Sequence, residues 1–252
     1  MMVINLNIMS RINQQVELII DLVKELETEK SYRGIERLVQ LILQALLDLG
    51  LMVISVLDGK TPKKYSEIGE ILFNMGILSE NDAALLKSMA GMRNILVHAY
   101  TNIKRDIIKA SVEDLRKDAV RISNILKKSL EGKSIDPQYT NDLTKLRGVF
   151  RGKVKVALLI GGRAKGYSMK GDYDIAVFFG RPFNLYELGS LLINIAKALN
   201  VSEDQIDLIN LDSASPEMML EALSGKIIYV EDEYILFELK FKALIELLDM
   251  SR

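Results

Sequence analysis

The hydrophobic period of this chain changes once, and that change sets what it can fold into. From residue 8 to about residue 130, apolar side chains recur at three- and four-residue steps, the period of an amphipathic helix. Beyond residue 154 they come as short β-branched runs separated by glycine and polar turns, interleaved with helical stretches. Between the two patterns, Glu131-Gly132-Lys133-Ser134-Ile135-Asp136-Pro137 carries neither period. The expected organisation is α plus α/β in two domains: an antiparallel helical bundle over residues 1–131, a linker over 132–142, and an α+β domain with a small mixed sheet over 143–252. A total of 252 residues suits two domains of ordinary size. The linker, at about 3.3–3.6 Å per residue, spans about 35 Å when extended.

Within the helical half, Val16, Ile19, Ile20, Val23 and Leu26 form one stripe. Ile35, Leu38, Ile42, Ala45, Leu49, Met52 and Val56 form a longer one, apolar enough to lie centrally in a bundle. Residues 38–57 are nearly continuous in apolar character, but Gln40, Gln44 and Asp48 interrupt them, so a buried helix is expected rather than a membrane span. Ser79-Glu80-Asn81-Asp82 is a run of capping residues opening a helix with Leu85, Met89, Met92 and Leu96 on its inner stripe. A last helix, about 105–130, turns Leu115, Ala119, Ile122, Ile125 and Leu126 inward, completing a bundle of four or five helices. In the second half, strands are expected at 154–160, 175–179, 205–211 and 227–230, with helices at 185–199, from Pro216, and at 231–250.

The helix after Ser79 delivers Arg93-Asn94-Ile95-Leu96-Val97-His98-Ala99-Tyr100, which holds the chain's single histidine. Histidine titrates near neutrality, and arginine is a permanent cation suited to phosphate. An acid or base beside a phosphate clamp is what metal-free RNA cleavage needs, because the ribose 2′-hydroxyl supplies the nucleophile. The alternative at His98 is a core histidine closing an amphipathic helix. At about 100° per residue, Arg93 and Tyr100 share a face while His98 points about 140° away. A straight helix cannot join all three, so a turned last segment or a second subunit is expected to complete the group.

Composition removes other chemistries. With no cysteine and one histidine, thiolate zinc sites, disulfides, cysteine nucleophiles and a histidine-rich metal site within one chain are excluded. Any metal must sit on carboxylates, which favours magnesium or manganese. A net charge of −1 gives no global basic field, so DNA is not expected as a partner and contact with RNA would be local. No leader-like segment opens the chain, and a cytoplasmic protein without membrane contact is expected.

Asp172 and Asp174 flank Tyr173 at the start of an expected strand, where side chains two apart face the same way. Asp207 opens the next strand and brings a third carboxylate toward them. Clustered carboxylates repel unless cations lie between them, and paired metals activate an attacking oxygen while neutralising a leaving pyrophosphate. Upstream, Gly161-Gly162-Arg163-Ala164-Lys165-Gly166 leaves the first strand with backbone N–H groups exposed, a turn that cradles phosphate. It has neither the Walker ending nor the dinucleotide-binding glycine spacing.

The order strand, Gly161-Gly162, Asp172-Tyr173-Asp174, strand, Asp207 resembles the DNA polymerase β-like nucleotidyltransferase superfamily, in particular its minimal members. Arg93 through Tyr100 resembles the Arg-x4-His-x-Tyr signature of HEPN ribonucleases. Together the halves resemble the HepT–MntA toxin–antitoxin pair, here on one chain. The resemblance implies a metal-independent endoribonuclease toxin with Arg93 and His98 at the scissile phosphate, a homodimer through the helical half, and RNA, tRNA included, as its substrate. It implies an antitoxin half that holds Mg2+ or Mn2+ on Asp172, Asp174 and Asp207 and binds ATP through Gly161, Gly162, Arg163 and Lys165. That half would transfer AMP to Tyr100. Two departures from the usual pattern stand out. Gly162 replaces a common serine and loses a hydroxyl contact to phosphate. Lys165 replaces a common arginine, keeping the charge without the two-pronged geometry. A second reading makes the chain a nucleotidyltransferase for a small molecule such as an aminoglycoside, with the helical half shaping the pocket. A third makes it a binding module with both sites silent.

Overall fold

The computed structural model describes residues 2–3, 6–57, 59–98, 105–135, 143–164 and 172–250. By its internal contacts the chain divides into two compact units, built on residues 3–135 and 136–247.

The first unit holds five α-helices among its described residues: α1 (Leu6–Thr28), α2 (Tyr32–Val56), α3 (Ile68–Asn74), α4 (Glu80–His98) and α5 (Arg105–Lys128). Two-residue strands β1 (Met2–Val3) and β2 (Ser134–Ile135) pair with one another. Ser31 starts α2: its hydroxyl accepts from the Gly34 N–H at 3.1 Å, satisfying a donor with no intrahelical partner. α2 packs against α1, α3, α4 and α5, and the whole stripe from Ile35 to Val56 is buried. Among the described residues it is the one helix long and apolar enough to cross a membrane, and most of that length lies inside the bundle. The expected inner residues of α1 and α5 are likewise buried, except that Ile20 and Ile125 are half-buried.

α4 differs from the expected stripe in an instructive way. Its buried residues are Ala83, Leu86, Met89, Ala90, Arg93 and Leu96, while Leu85 and Met92 are only half-buried. The helix is rotated so that a charged residue takes the inner position that hydropathy alone assigned to methionine.

The second unit has a four-stranded mixed sheet of β3 (Val156–Leu159), β4 (Tyr173–Phe178), β5 (Ile206–Asn210) and β6 (Lys226–Val230), in the order β5-β4-β3-β6. β3 pairs antiparallel with β4 and β6, and β4 pairs parallel with β5. Alternation along β3 and β4 sends side chains to two cores. Ala157, Leu159, Ile175 and Val177 join Phe150, Leu191 and Ile195 on one side. Val156, Leu158 and Ala176 join Met219, Ala222 and Ala243 on the other. The covering helices are α6 (Arg147–Phe150) and α8 (Leu185–Leu199) on the first face, α9 (Pro216–Leu223) and α10 (Glu233–Met250) on the second. A sheet covered on both faces explains why β3 reads as a continuous apolar run. Asn184 caps α8, accepting from the Glu187 N–H at 2.9 Å, and Asn200 ends it in the left-handed region at φ 57°. One turn of helix, α7 (Gly161–Ala164), leaves β3 where a tight turn was expected.

Candidate active sites

β3 and β4 meet at the mouth of the sheet. The Ile160 N–H donates to the Asp174 carbonyl at 2.9 Å, fixing the exit of β3 against the entry of β4. Gly161 comes next with φ 67°, a conformation costly for residues with a Cβ. A Cβ there would lie 2.8 Å from Cγ of Asp174, closer than real contacts allow. The positive φ calls for glycine, and a Cβ there would have to displace the Asp174 carboxylate, which is laid directly over the turn.

Asp174 and Asp207 are register partners across the parallel β4–β5 pair. Asp174 is half-buried, Asp207 and Asp172 are exposed, and Asp172 immediately precedes β4. Burial pushes the Asp174 carboxyl above the usual carboxylate range; the charges of Asp207 and then Asp172 add to the shift, and Arg163 opposes it. Arg163 has its guanidinium carbon 3.9 Å from the centre of the Tyr173 ring, and its Nε donates to the Asp172 carbonyl at 3.3 Å. So the three acidic residues share one electrostatic field. Among the described residues, however, no group of three acidic or imidazole side chains closes into a metal cage. The donor set suits a hard cation that keeps waters or phosphate oxygens in its shell and takes one or two carboxylates from protein. Gly162 contributes backbone to α7, while Lys165 lies outside the described residues.

In the helical unit, Arg93 is 6% exposed, turned into the bundle rather than displayed on it. Its Nε donates to Oε1 of Gln44 at 2.8 Å, and one terminal nitrogen donates to Oδ1 of Asn94 at 3.3 Å. Its guanidinium carbon lies 4.8 Å from the centre of the Tyr65 ring, within cation–π range. Gln44 in turn donates from Nε2 to Oδ1 of Asp48 at 2.7 Å. Burial pushes the Asp48 carboxyl up to about 6, against the opposing hydrogen bond from Gln44. α4 ends at His98; the His98 side chain and all of Tyr100 lie outside the described residues.

Sequence reasoning picked out Arg93 but not its partners. Gln44 and Asp48 were visible only as polar breaks in an apolar run, and Tyr65 carried no signal, because what makes them partners is the pairing of α2 with α4.

Two family models match the chain. Residues 11–126 match the HepT-like ribonuclease family, and residues 144–234 match the polymerase β nucleotidyltransferase family. A putative RNase of Archaeoglobus fulgidus is 27% identical over 124 residues, covering 48% of this chain and 93% of that protein. Among solved structures, a toxin–antitoxin complex with AMP-PNP is 24% identical over 45% of this chain and 93% of the matched chain, with a TM-score of 0.35. An MntA–HepT toxin–antitoxin structure is 21% identical over 44% of this chain and 85% of the matched one, at TM-score 0.33. A tri-AMPylated Shewanella oneidensis HEPN toxin in complex with MNT antitoxin is 22% identical over 45% and 92%, also at 0.33.

Proposed function

We propose that this chain, a HepT-like ribonuclease segment joined to a polymerase β-type nucleotidyltransferase segment, is a toxin and its antitoxin on one polypeptide. The second segment adenylylates the first. In that reaction the phenolic oxygen of Tyr100 attacks the α-phosphorus of ATP. An O–P bond forms, the bond to the bridging oxygen breaks, pyrophosphate leaves, and the phenolic proton passes to solvent.

The observation that carries the transferase reading is the pair Asp174 and Asp207, register partners at the sheet mouth with Gly161 beneath Asp174. Burial and the charges of Asp207 and Asp172 raise the proton affinity of Asp174, and a bound divalent cation would relieve that repulsion. Asp172, Asp174 and Asp207 would hold Mg2+ or Mn2+, which supplies charge neutralisation for the triphosphate and the departing pyrophosphate. Gly161 and Gly162 would offer backbone N–H groups to phosphate, and Arg163, with Lys165 two residues on in the sequence, would supply positive charge.

The ribonuclease reading rests on the HepT-like match and on Arg93, held at the α2–α4 seam five residues before His98. His98 would exchange a proton at the ribose hydroxyl or the leaving oxygen, and Arg93 would stabilise charge on the phosphate, with no metal in the step. AMP on Tyr100 adds a phosphate charge and a purine beside that pair, blocking RNA by repulsion and by volume. A homodimer through the helical half brings a second copy of the Arg93–Tyr100 stretch to the site, and transfer within a chain or between chains uses the same chemistry. Incubating the full chain with ATP and magnesium, then locating AMP by peptide mass spectrometry, tests the proposal.

A further inference from the structure

The polar residues interrupting the apolar run of α2 stand one turn apart. Gln40, Gln44 and Asp48 occupy i, i+4 and i+8, so they project along one face of the helix. Polar groups in such a seam are costly unless each finds a partner, and all three do. Gln40 donates from Nε2 to the Leu96 carbonyl at 3.0 Å, and its Oε1 accepts from Arg37 at 3.4 Å. That carbonyl belongs to the last turn of α4, where helical carbonyls lack partners within the helix. Gln44 accepts from Nε of Arg93 at 2.8 Å and donates to Asp48 at 2.7 Å.

The chemistry of the row fixes its direction. A guanidinium only donates and an ionised carboxylate only accepts, so a Gln44 amide lying between them must aim its oxygen at Arg93 and its nitrogen at Asp48. Turning that amide over would set two donors against each other at Arg93. Asp48 therefore orients Gln44, Gln44 orients Arg93 from one side, and the Tyr65 ring bounds the guanidinium 4.8 Å away. Four residues along the same face, Gln40 holds the backbone two residues before His98.

We infer that Gln40, Gln44 and Asp48 are positioning residues for RNA cleavage, forming a polar row on α2 that sets the geometry of the Arg93–His98 stretch. The inference rests on the ribonuclease reading above. Displacing a catalytic group by about 1 Å costs on the order of 10²-fold in rate, and a guanidinium freed of its acceptor has that latitude.

The test uses the full chain with Asp172→Ala and Asp174→Ala as parent, so that the ribonuclease is not modified, and adds Gln44→Leu, Asp48→Leu or Asp48→Asn. Cleavage of a labelled RNA gives kcat and KM, and nitrogen-15 NMR follows the protected Nε–H resonance of Arg93, assigned by its loss in Arg93→Lys. The expected result is a ten- to hundredfold fall in kcat for Gln44→Leu and Asp48→Leu with KM within twofold, and loss of Nε–H protection. Asp48→Asn, which keeps an acceptor for Gln44, should retain most of kcat. Should Gln44→Leu not fold, the two Asp48 variants carry the same comparison. Folded Gln44→Leu or Asp48→Leu proteins cleaving at the parent rate would overturn the inference, whatever their melting temperatures. A parent that cleaves no RNA defeats the ribonuclease reading itself, and this inference with it.

Discussion

The carboxylate of Asp174 lies over Gly161 so closely that a Cβ at that glycine would sit 2.8 Å from its Cγ. The two residues belong to different elements, α7 and β4, and are fixed by the Ile160-to-Asp174 backbone hydrogen bond beside them. The turn that would approach phosphate and the acid that would approach metal are therefore one unit.

Gly161→Ala should disable the transferase without unfolding the chain. The new methyl group displaces the Asp174 carboxylate, and the positive φ adds about 1–2 kcal/mol of local strain. ATP-dependent labelling should fall at least tenfold while far-ultraviolet circular dichroism is unchanged. Labelling at the wild-type rate would mean that the position of Asp174 does not matter.

Replacing Asp172 and Asp174 together by alanine should abolish labelling and make expression toxic, since the ribonuclease is then unmodified. Adding His98→Ala should restore growth. Growth arrest that persists without His98 would remove that residue from the cleavage step.

Chelation should separate the two activities. On the proposed chemistry, in which only the first reaction would use carboxylate-held cations, excess EDTA should stop adenylylation in the wild-type chain and leave RNA cleavage by the Asp172→Ala, Asp174→Ala chain unchanged. Loss of cleavage on chelation would contradict a metal-free ribonuclease.

Asp48 sets a pH dependence of stability. Its carboxyl is raised from 3.8 to about 6 in the fold, so between those values the folded chain binds the proton and the unfolded chain does not. The contribution is most favourable at the acid end of that window and is lost as pH rises through 6, leaving a penalty of up to about 3 kcal/mol above it. Asp48→Asn should therefore raise the melting temperature at pH 7.5 and change it little at pH 4. An equal change at both values would mean that Asp48 is ionised in the fold throughout.

Much of this architecture was legible in the chain because periodicity reports burial directly. The stripe of α2, the capping run in which the Ser79 hydroxyl accepts from the Asp82 N–H at the start of α4, and the switch from helical period to β-branched runs all arise from local chemistry. Asp174 and Asp207 were legible as a pair because each lies at the start of a strand. The inward turn of Arg93 was not: hydropathy assigns such a position to Met92, and what makes a buried guanidinium tolerable is the acceptor on Gln44, forty-nine residues earlier, together with Asn94 and the Tyr65 ring. Gly161-Gly162 was readable as a turn out of β3 but not as the first residues of α7, since glycine signals a change of direction without specifying the next element.

The most direct measurement is ATP labelling of the wild-type chain beside Tyr100→Phe, with modified peptides located by mass spectrometry. Expected is AMP on the wild-type peptide containing Tyr100, dependent on magnesium, and no adenylylation of the Tyr100→Phe chain. Equal labelling of both chains, or an unmodified Tyr100 alongside an adenylylated small molecule, would contradict self-modification at Tyr100.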